Sequence, residues 1–322
     1  MLTWTCTDSG KSGWYSNYYR HRNNCSYCIP ELEEEKQQLQ ALDDKLCPWS
    51  EWRRTNASCV QHTGHDIEQV QELYAICEQP FINYCSHKNY RLTNSATTSY
   101  FSPMNMLVVT LWHLKHYHSE CYIASESNLS QPAVNYLLST VADILHSCVY
   151  PELVSIPANV SISRTPHGLQ QYHKLIVDST FIAIPEPYDS EQRKAYYHAK
   201  RSTNYALKVQ IACDFHHRIV HVSECFRGSA HDITILRESE LLEHKKPHGR
   251  ELTDEDKNCN HGINSARAAI ENINQRLKAY AILGGVYRGT IDDFHKAIKI
   301  VQVVRALCNL NLIKHPIRRY TK

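Results

Sequence analysis

The sequence predicts an α/β fold for its C-terminal half, with an all-α module in front of it. From about residue 172, three short β-rich runs follow one another, and a helical period resumes after them. Before them, residues 104–147 read as three helices. Apolar residues three and four apart predict helices, whereas β-branched runs bounded by turn residues predict strands. The 322 residues, 42% of them hydrophobic, suffice for one large domain or two to three smaller ones.

Residues 1–100 form a polar, poorly specified region rich in cysteine and tyrosine. An acidic helix is predicted over residues 30–46, mostly solvated, with at most a short coiled-coil seam. A second helix is predicted over HDIEQVQELYAI, where Ile67, Val70, Leu73 and Ile76 have helical spacing.

A CxxC pair (Cys25, Cys28) and a CxxH pair (Cys59, His62) lie in this N-terminal region. Four such side chains suit tetrahedral Zn²⁺. Half-motifs also arise by chance in a chain with 13 cysteines and 20 histidines. The two interpretations, a zinc site and unpaired thiols, both stay open.

The helical module is predicted over residues 101–152. Ser130 is expected to cap the third helix, with Pro132 in its first turn. That helix keeps an apolar face and presents Gln131, Asn135 and Ser139 outward, where Gln and Asn can read adenine edges in the major groove. It has no Lys or Arg, so phosphate contacts must come from elsewhere. The alternative is a helical connector that packs on the following domain.

Three strands and a helix open the C-terminal half, with Asp178 in the middle of the first strand, LIVDSTFI. A buried strand does not easily hold an unpaired carboxylate, so Asp178 is expected either to have a partner such as a metal or to face solvent. Asp232 follows the third strand at the start of a helix, where it could equally be an N-cap.

The helix predicted over residues 262–283 carries Arg267, Glu271 and Lys278. At about 100° per residue these three fall within roughly 40° of one helix face. Ile270, Ile273, Leu277 and Tyr280 form a separate apolar stripe. The helix can therefore bury that stripe on the sheet while it presents a carboxylate flanked by two cations. A simple ion pair between Arg267 and Glu271 would explain two of the three residues.

In this order, the segments resemble the DDE endonuclease domain of Harbinger/PIF-type transposases. The matching pieces between residues 172 and 316 are VDST with IPEP, YYHAKRSTNYALKVQIACDFHHRIVHVSECFRGSAHD, RELTDEDKN, NSARAAIENINQRLKAYAILGGVYRG and LCNLNL. The resemblance implies an RNase H-like nuclease core for residues 172–316 and a transposase-type helix-turn-helix for residues 101–152.

The resemblance also implies a site and its partners. Asp178, Asp232 and Glu271 would bind a divalent cation, Mg²⁺ or Mn²⁺, and Arg267 and Lys278 would contact the DNA backbone or the active site. The partners implied are double-stranded DNA and a separate DNA-binding protein. The family's tyrosine ahead of the arginine is Asn264 here.

One strand of that family, with the pattern Gly-Asp-x-Gly-Tyr, has no counterpart in this chain. Residues 240–244 run directly into Lys245-Lys246-Pro247. In RNase H-like enzymes that strand lies beside the first one and brings a carboxylate next to the first Asp. Two alternatives follow: a metal-dependent endonuclease for phosphodiester hydrolysis or strand transfer, impaired by the loss, or a catalytically inactive DNA-binding protein derived from a transposase.

The overall charge does not point to nucleic acid, because the net charge is only +2, so any DNA-binding surface has to be a local patch. The chain has no apolar run of about 20 residues, which predicts no membrane partner. The scattered, odd number of cysteines predicts reduced thiols, and with the resemblance a nuclear location.

Overall fold

A computed structural model describes residues 3–5, 12–14, 48–92, 102–127, 129–155, 175–198, 204–214, 217–239, 270–290 and 293–316. Helices and an antiparallel sheet make this part of the chain a mixed α/β protein. It divides into two compact units, residues 1–112 and 113–322. The predicted acidic helix, Cys25, Cys28 and Arg267 lie outside the described residues.

The first unit contains a short hairpin and a set of helices: β1 (Thr3–Thr5), β2 (Ser12–Trp14), α1 (Trp49–Trp52), α2 (Asn56–Thr63), α3 (Ile67–Leu92) and most of α4 (Pro103–His116). The Thr55 side chain caps α2 by accepting the Ser58 N–H at 3.1 Å. The helix predicted at HDIEQVQELYAI is confirmed within α3, and Val70 and Leu73 are buried.

The boundary between the two units falls within α4, so the last turn of α4 belongs to the second unit. Two helices follow, α5 (Glu120–Ser127) and α6 (Gln131–Leu153). The predicted cap is confirmed, because the Ser130 hydroxyl accepts the Ala133 N–H at 3.4 Å. The predicted apolar face of α6 is also confirmed, and its buried members include Val134, Leu137, Leu138, Val141 and Leu145.

The sheet of the second unit consists of β3 (Ile176–Ala183), β4 (Ala206–Cys213), β5 (Ile219–Val222) and β6 (Phe226–Arg227). Helix α7 (Ser190–Tyr196) connects β3 to β4, and α8 (Asp232–Glu238) follows β6. All pairings are antiparallel, in the order β3-β4-β5, with β6 also on β4. Because all eight residues of β4 are buried, β4 is the centre of the sheet.

Strand β3 lies at the edge of this sheet. Its eight residues pair with β4 on one side, from Ile176–Cys213 to Ala183–Ala206. Within the described residues, its other side meets only a bridge between Ala183 and Val286, where the Tyr287 N–H donates to the Ala183 carbonyl at 2.8 Å. Upstream of Ala183, that edge has no strand partner in the described part of the chain.

A continuous helix was predicted over residues 262–283, and here the structure differs. Residues 270–278 are helical (α9), and a separate short helix, α10 (Ala281–Gly284), follows after a turn. The chain folds back so closely that a Cβ on Gly284 would overlap the Lys278 carbonyl oxygen. The glycine allows this reversal because it has no side chain.

The long helix α11 (Phe294–Lys314) joins the sheet to α6. The Asn309 side chain pairs with both backbone groups of Ile219 on β5 at 2.9 and 2.7 Å and donates to the Leu153 carbonyl at 2.8 Å. Lys299 also pairs with Asp143 on α6 at 2.7 Å. These contacts place α6 in one compact unit with the sheet. Among the described residues, no helix has the length and apolarity needed to cross a membrane.

Candidate functional site

The two faces of β3 determine where its polar side chains point. Successive residues of a strand point to opposite faces, and directly paired residues share a face. Asp178 pairs with Ile211, whereas Ser179 pairs with Gln210 and Phe181 with Lys208. Asp178 therefore lies on one face of the sheet, and Ser179 and Lys208 lie on the other.

Asp178 contacts α9 on its own face of the sheet. The Asn274 side-chain amide donates to Asp178 Oδ2 at 3.2 Å. Helix α9 is anchored by Ile270, Ile273 and Leu277, each at most 3% exposed. Asp178 itself is exposed. The helix predicted to carry the site's third carboxylate thus lies against the strand that carries the first.

Glu271 is exposed and lies one turn before Asn274 on α9. Residues three and seven positions apart share a helix face, so Glu271, Asn274 and Lys278 form one stripe. Since Asn274 contacts Asp178, Glu271 lies on the side of α9 that faces this edge of β3. At 1.5 Å per residue, Lys278 lies roughly 10 Å further along the helix.

Asp232 lies on the opposite face of β3. Its Oδ1 accepts the Ser179 hydroxyl at 2.5 Å and pairs with Lys208 Nζ at 2.8 Å. The Lys208 side chain is only 7% exposed, and its ammonium also donates to the Ala230 carbonyl at 2.7 Å. Asp232 is the first residue of α8, and its carboxylate is the counter-ion of the buried Lys208.

The electrostatics of Asp232 agree with this geometry. Burial by itself would raise the pKa of Asp232, but the hydrogen bonds from Lys208 and Ser179 and the Lys208 charge outweigh it and lower the pKa. The carboxylate is therefore ionised near neutral pH and neutralised by Lys208.

The predicted carboxylates consequently do not share one centre. Asp178 and Glu271 lie on one face of β3 and Asp232 on the other. Among the described residues, no three His, Cys, Asp or Glu side chains are placed to hold a metal ion. A two-metal centre needs carboxylates converging on one point, and this arrangement of Asp178, Asp232 and Glu271 does not fit it.

Three contact residues were not among those predicted from sequence: Ser179, Lys208 and Asn274. A signal for Lys208 existed, because it is the only charged residue in the strand ALKVQIAC and a buried ammonium requires a counter-ion. Asn274 lies on the same helix stripe as Glu271 and Lys278, so its position could also have been noted.

The predicted DNA-reading residues lie at the start of α6. Gln131 and Asn135 are exposed and Ser139 is half-buried. The Asn135 amide donates to Glu120 Oε1 on α5 at 2.8 Å, so its side chain is engaged within the protein. A carboxylate next to Asn135 opposes an approaching phosphate.

The CxxH half of the predicted zinc motif lies on α2. Cys59 is fully buried, with its Sγ 3.8 Å from Thr63 Oγ1, and burial raises the pKa of its thiol. His62 stacks on Trp52 at 4.5 Å, with Nδ1 2.8 Å from the Ser58 carbonyl. A raised thiol pKa disfavours the thiolate that Zn²⁺ needs. Zinc binding stays a prediction.

The match to a family model lies within the second unit. Residues 177–248 and 242–309 match the model of the DDE superfamily endonuclease family. A curated relative, described as the probable transposase for insertion sequence element IS702 of Microchaete diplosiphon, is 25% identical over 211 residues, which cover 57% of this chain and 71% of the relative. No solved structure matches the chain. The matched residues include Asp178, β4 and α9, so the similarity to this family covers the elements that carry the candidate site.

Proposed function

We propose that this chain is a transposase-derived DNA-binding protein that keeps a DDE-type endonuclease domain without a complete metal centre. The observation that carries the proposal is the position of Asp178 and Asp232 on opposite faces of β3. Asp232 is held there by Lys208 and Ser179, so bringing it to Asp178 would leave a buried ammonium unpaired.

Double-stranded DNA as the partner is supported by the family match of residues 177–309 and by the transposase relative. The Harbinger/PIF subtype, the helix-turn-helix role of α4–α6, the separate DNA-binding partner and the nuclear location belong to the same proposal. They rest on the sequence resemblance. The exposed start of α6, with Gln131, is the surface that the resemblance assigns to base contacts.

The second candidate is a metal-dependent endonuclease that uses Asp178 and Glu271 with Mg²⁺ or Mn²⁺. It is favoured by the Asn274–Asp178 hydrogen bond, which places the Glu271 stripe of α9 against Asp178. It would require cleavage without Asp232.

Nicking of supercoiled DNA by the full chain separates the two candidates. We expect no nicking with Mg²⁺ or Mn²⁺, while DNA binding persists in EDTA. Glu271→Gln and Asp178→Asn should then leave binding unchanged. Glu238→Gln on α8 is the matched control, since Glu238 is also an exposed helical carboxylate. Metal-dependent nicking that disappears in Glu271→Gln and survives in Glu238→Gln would establish the second candidate and refute the first.

A further inference from the structure

Helices α5 and α6 carry no Lys or Arg with which to contact phosphates. The chain has no Lys or Arg between Lys115 and Arg164, and α5 carries Glu120 and Glu126. Contacts from Lys and Arg to phosphates provide most of the affinity for DNA. If the second unit binds DNA, its cations must therefore lie on other elements.

Many cations of the second unit are already neutralised within the fold. Five of them form ion pairs with carboxylates at 2.7–3.4 Å: Arg193 with Glu186, Lys194 with Glu191, Lys208 with Asp232, Arg218 with Asp214 and Lys299 with Asp143. Such pairs cancel most of the local field. Cations without a carboxylate partner are therefore better candidates for phosphate contacts.

Arg288 is such a cation, and it is fixed in place. Its guanidinium lies 4.1 Å from the centre of the Tyr117 ring and donates to the Tyr117 carbonyl, while its backbone N–H donates to the Tyr117 hydroxyl at 2.7 Å. Arg288 is exposed and has no ion pair with a carboxylate among the described residues. A guanidinium has five N–H donors, so most of them are not used by Tyr117.

The backbone at Tyr117 shows that this contact is specific. Tyr117 has φ 56°, in the left-handed region that aromatic residues rarely adopt. It ends α4, where its N–H donates to the His113 carbonyl at 2.7 Å. The ring, the carbonyl and the hydroxyl of Tyr117 all contact Arg288 in this conformation.

Further basic groups surround Arg288. The His116 and His118 rings stack at 5.5 Å, and the charge of Arg288 interacts with His118. Lys296 on α11 is exposed, and its charge acts on His113 together with that of Arg288. We call this group the basic corner; it consists of His116, His118, Arg288 and Lys296.

Two carboxylates lie near the basic corner. The charge of Glu126 interacts with His118. Asp293 caps α11 by accepting the Lys296 backbone N–H at 3.0 Å. The two permanent cations of the corner, Arg288 and Lys296, come from separate elements and both act on His113. Among the described residues, neither forms an ion pair with these or other carboxylates.

We propose that the basic corner binds the phosphates of double-stranded DNA and provides the backbone contacts that α6 lacks. The proposal rests on the DNA-binding function proposed above.

The test measures duplex affinity of the full chain between 50 and 200 mM salt. The variant carries Arg288→Gln and Lys296→Gln. Each lost phosphate contact lowers the slope of log K against log salt by about 0.9, so we expect a decrease of roughly 2 and a loss of affinity of roughly 10- to 100-fold at 0.1 M salt. The matched control carries Lys194→Gln and Arg237→Gln, two exposed cations on α7 and α8, and should bind like the wild type.

Arg288→Lys keeps the charge but loses the planar contact with Tyr117, so it should keep the slope. Circular dichroism and thermal midpoints establish that each variant is folded. If the double variant is folded and its slope of log K against log salt is unchanged, the basic corner does not bind phosphates. The proposed DNA binding would not be refuted by that result. Absence of any salt-dependent binding by the wild type would overturn both proposals. Equal losses in the control variant would refute a local site.

Discussion

At the scale of single residues, the ion pair between Lys208 and Asp232 has a structural role. The lysine is buried on the central strand, and its ammonium has two acceptors, Asp232 and the Ala230 carbonyl. Asp178, by contrast, is exposed, with one hydrogen bond from Asn274 at 3.2 Å. The two aspartates were predicted to share one function, and their surroundings differ.

Asp232→Asn should therefore destabilise the protein more than Asp178→Asn. The first substitution leaves the buried Lys208 without a counter-ion and should lower the free energy of unfolding by about 1–2 kcal/mol, discounted because Asp232 itself is largely exposed. The second should change it by less than about 0.5 kcal/mol. Urea denaturation measures both. The reverse order would show that Asp178 has the structural role, and Lys208→Met should recover part of the loss caused by Asp232→Asn.

His113 gives the second unit a pH-dependent stability. Burial, assisted by the charges of Arg288 and Lys296, lowers its pKa from 6.5 to about 4, against a smaller opposing effect of the His118 backbone. The unfolded chain therefore binds more protons than the folded chain between these two values. Stability is fully present above pH 6.5 and falls as the pH falls towards 4. The shift corresponds to at most about 3 kcal/mol.

We expect His113→Gln to flatten this decline between pH 6.5 and 4.5. The measurement is the free energy of unfolding at three pH values for both proteins. His295→Gln is the control, because His295 is exposed on α11, and it should retain the wild-type decline. A wild-type and a His113→Gln profile of equal slope would rule out His113 as the titrating group.

At the scale of elements, the junction of α9 and α10 fixes the direction of the helix that carries Glu271. Gly284→Ala should place a methyl group against the Lys278 carbonyl. Because a backbone oxygen cannot move aside cheaply, we expect a loss of about 2 kcal/mol or more. Thermal and urea unfolding measure it, with Ala279→Ser, an exposed position in the same turn, as the neutral control. An unchanged free energy of unfolding in Gly284→Ala would mean that the chain leaves room for a methyl group between residue 284 and the Lys278 carbonyl.

Most elements could be predicted from sequence, but the faces of the sheet could not. The strands at LIVDST, YALKVQIACDF and RIVHVSECF are found as β3, β4 and β5, and Ser130 caps α6 as expected. Which side of β3 each aspartate lies on depends on the pairing register. On β4, Lys208 and Gln210 alternate with Leu207, Val209 and Ile211, but this alternation does not show which residues of β3 they pair with.

At the scale of the whole molecule, the chain divides into two compact units, and the boundary between them falls inside α4, after Trp112. The division of residues 101–152 and 172–316 into separate domains stays a prediction. The sequence of α4 shows one uninterrupted apolar helix, so composition cannot reveal a division there. The bonds of α11 to α6 and β5 explain why α6 belongs with the sheet.

That assignment changes how the proposed DNA contacts are arranged. A helix fixed to the sheet cannot turn independently to follow the groove. The second unit would present the start of α6 and the basic corner to the duplex in one fixed geometry, so DNA would have to bend or shift to satisfy both.

The free side of β3 has a consequence during folding. From Ile176 to Ile182, within the described part of the chain, this edge offers unpaired N–H and C=O groups, with Asp178 as its only charge and Val177 38% exposed. Such an edge accepts an extended segment from any neighbouring molecule. Chains that refold side by side are therefore expected to pair through this edge. We expect the yield of soluble protein to fall as the protein concentration during refolding rises.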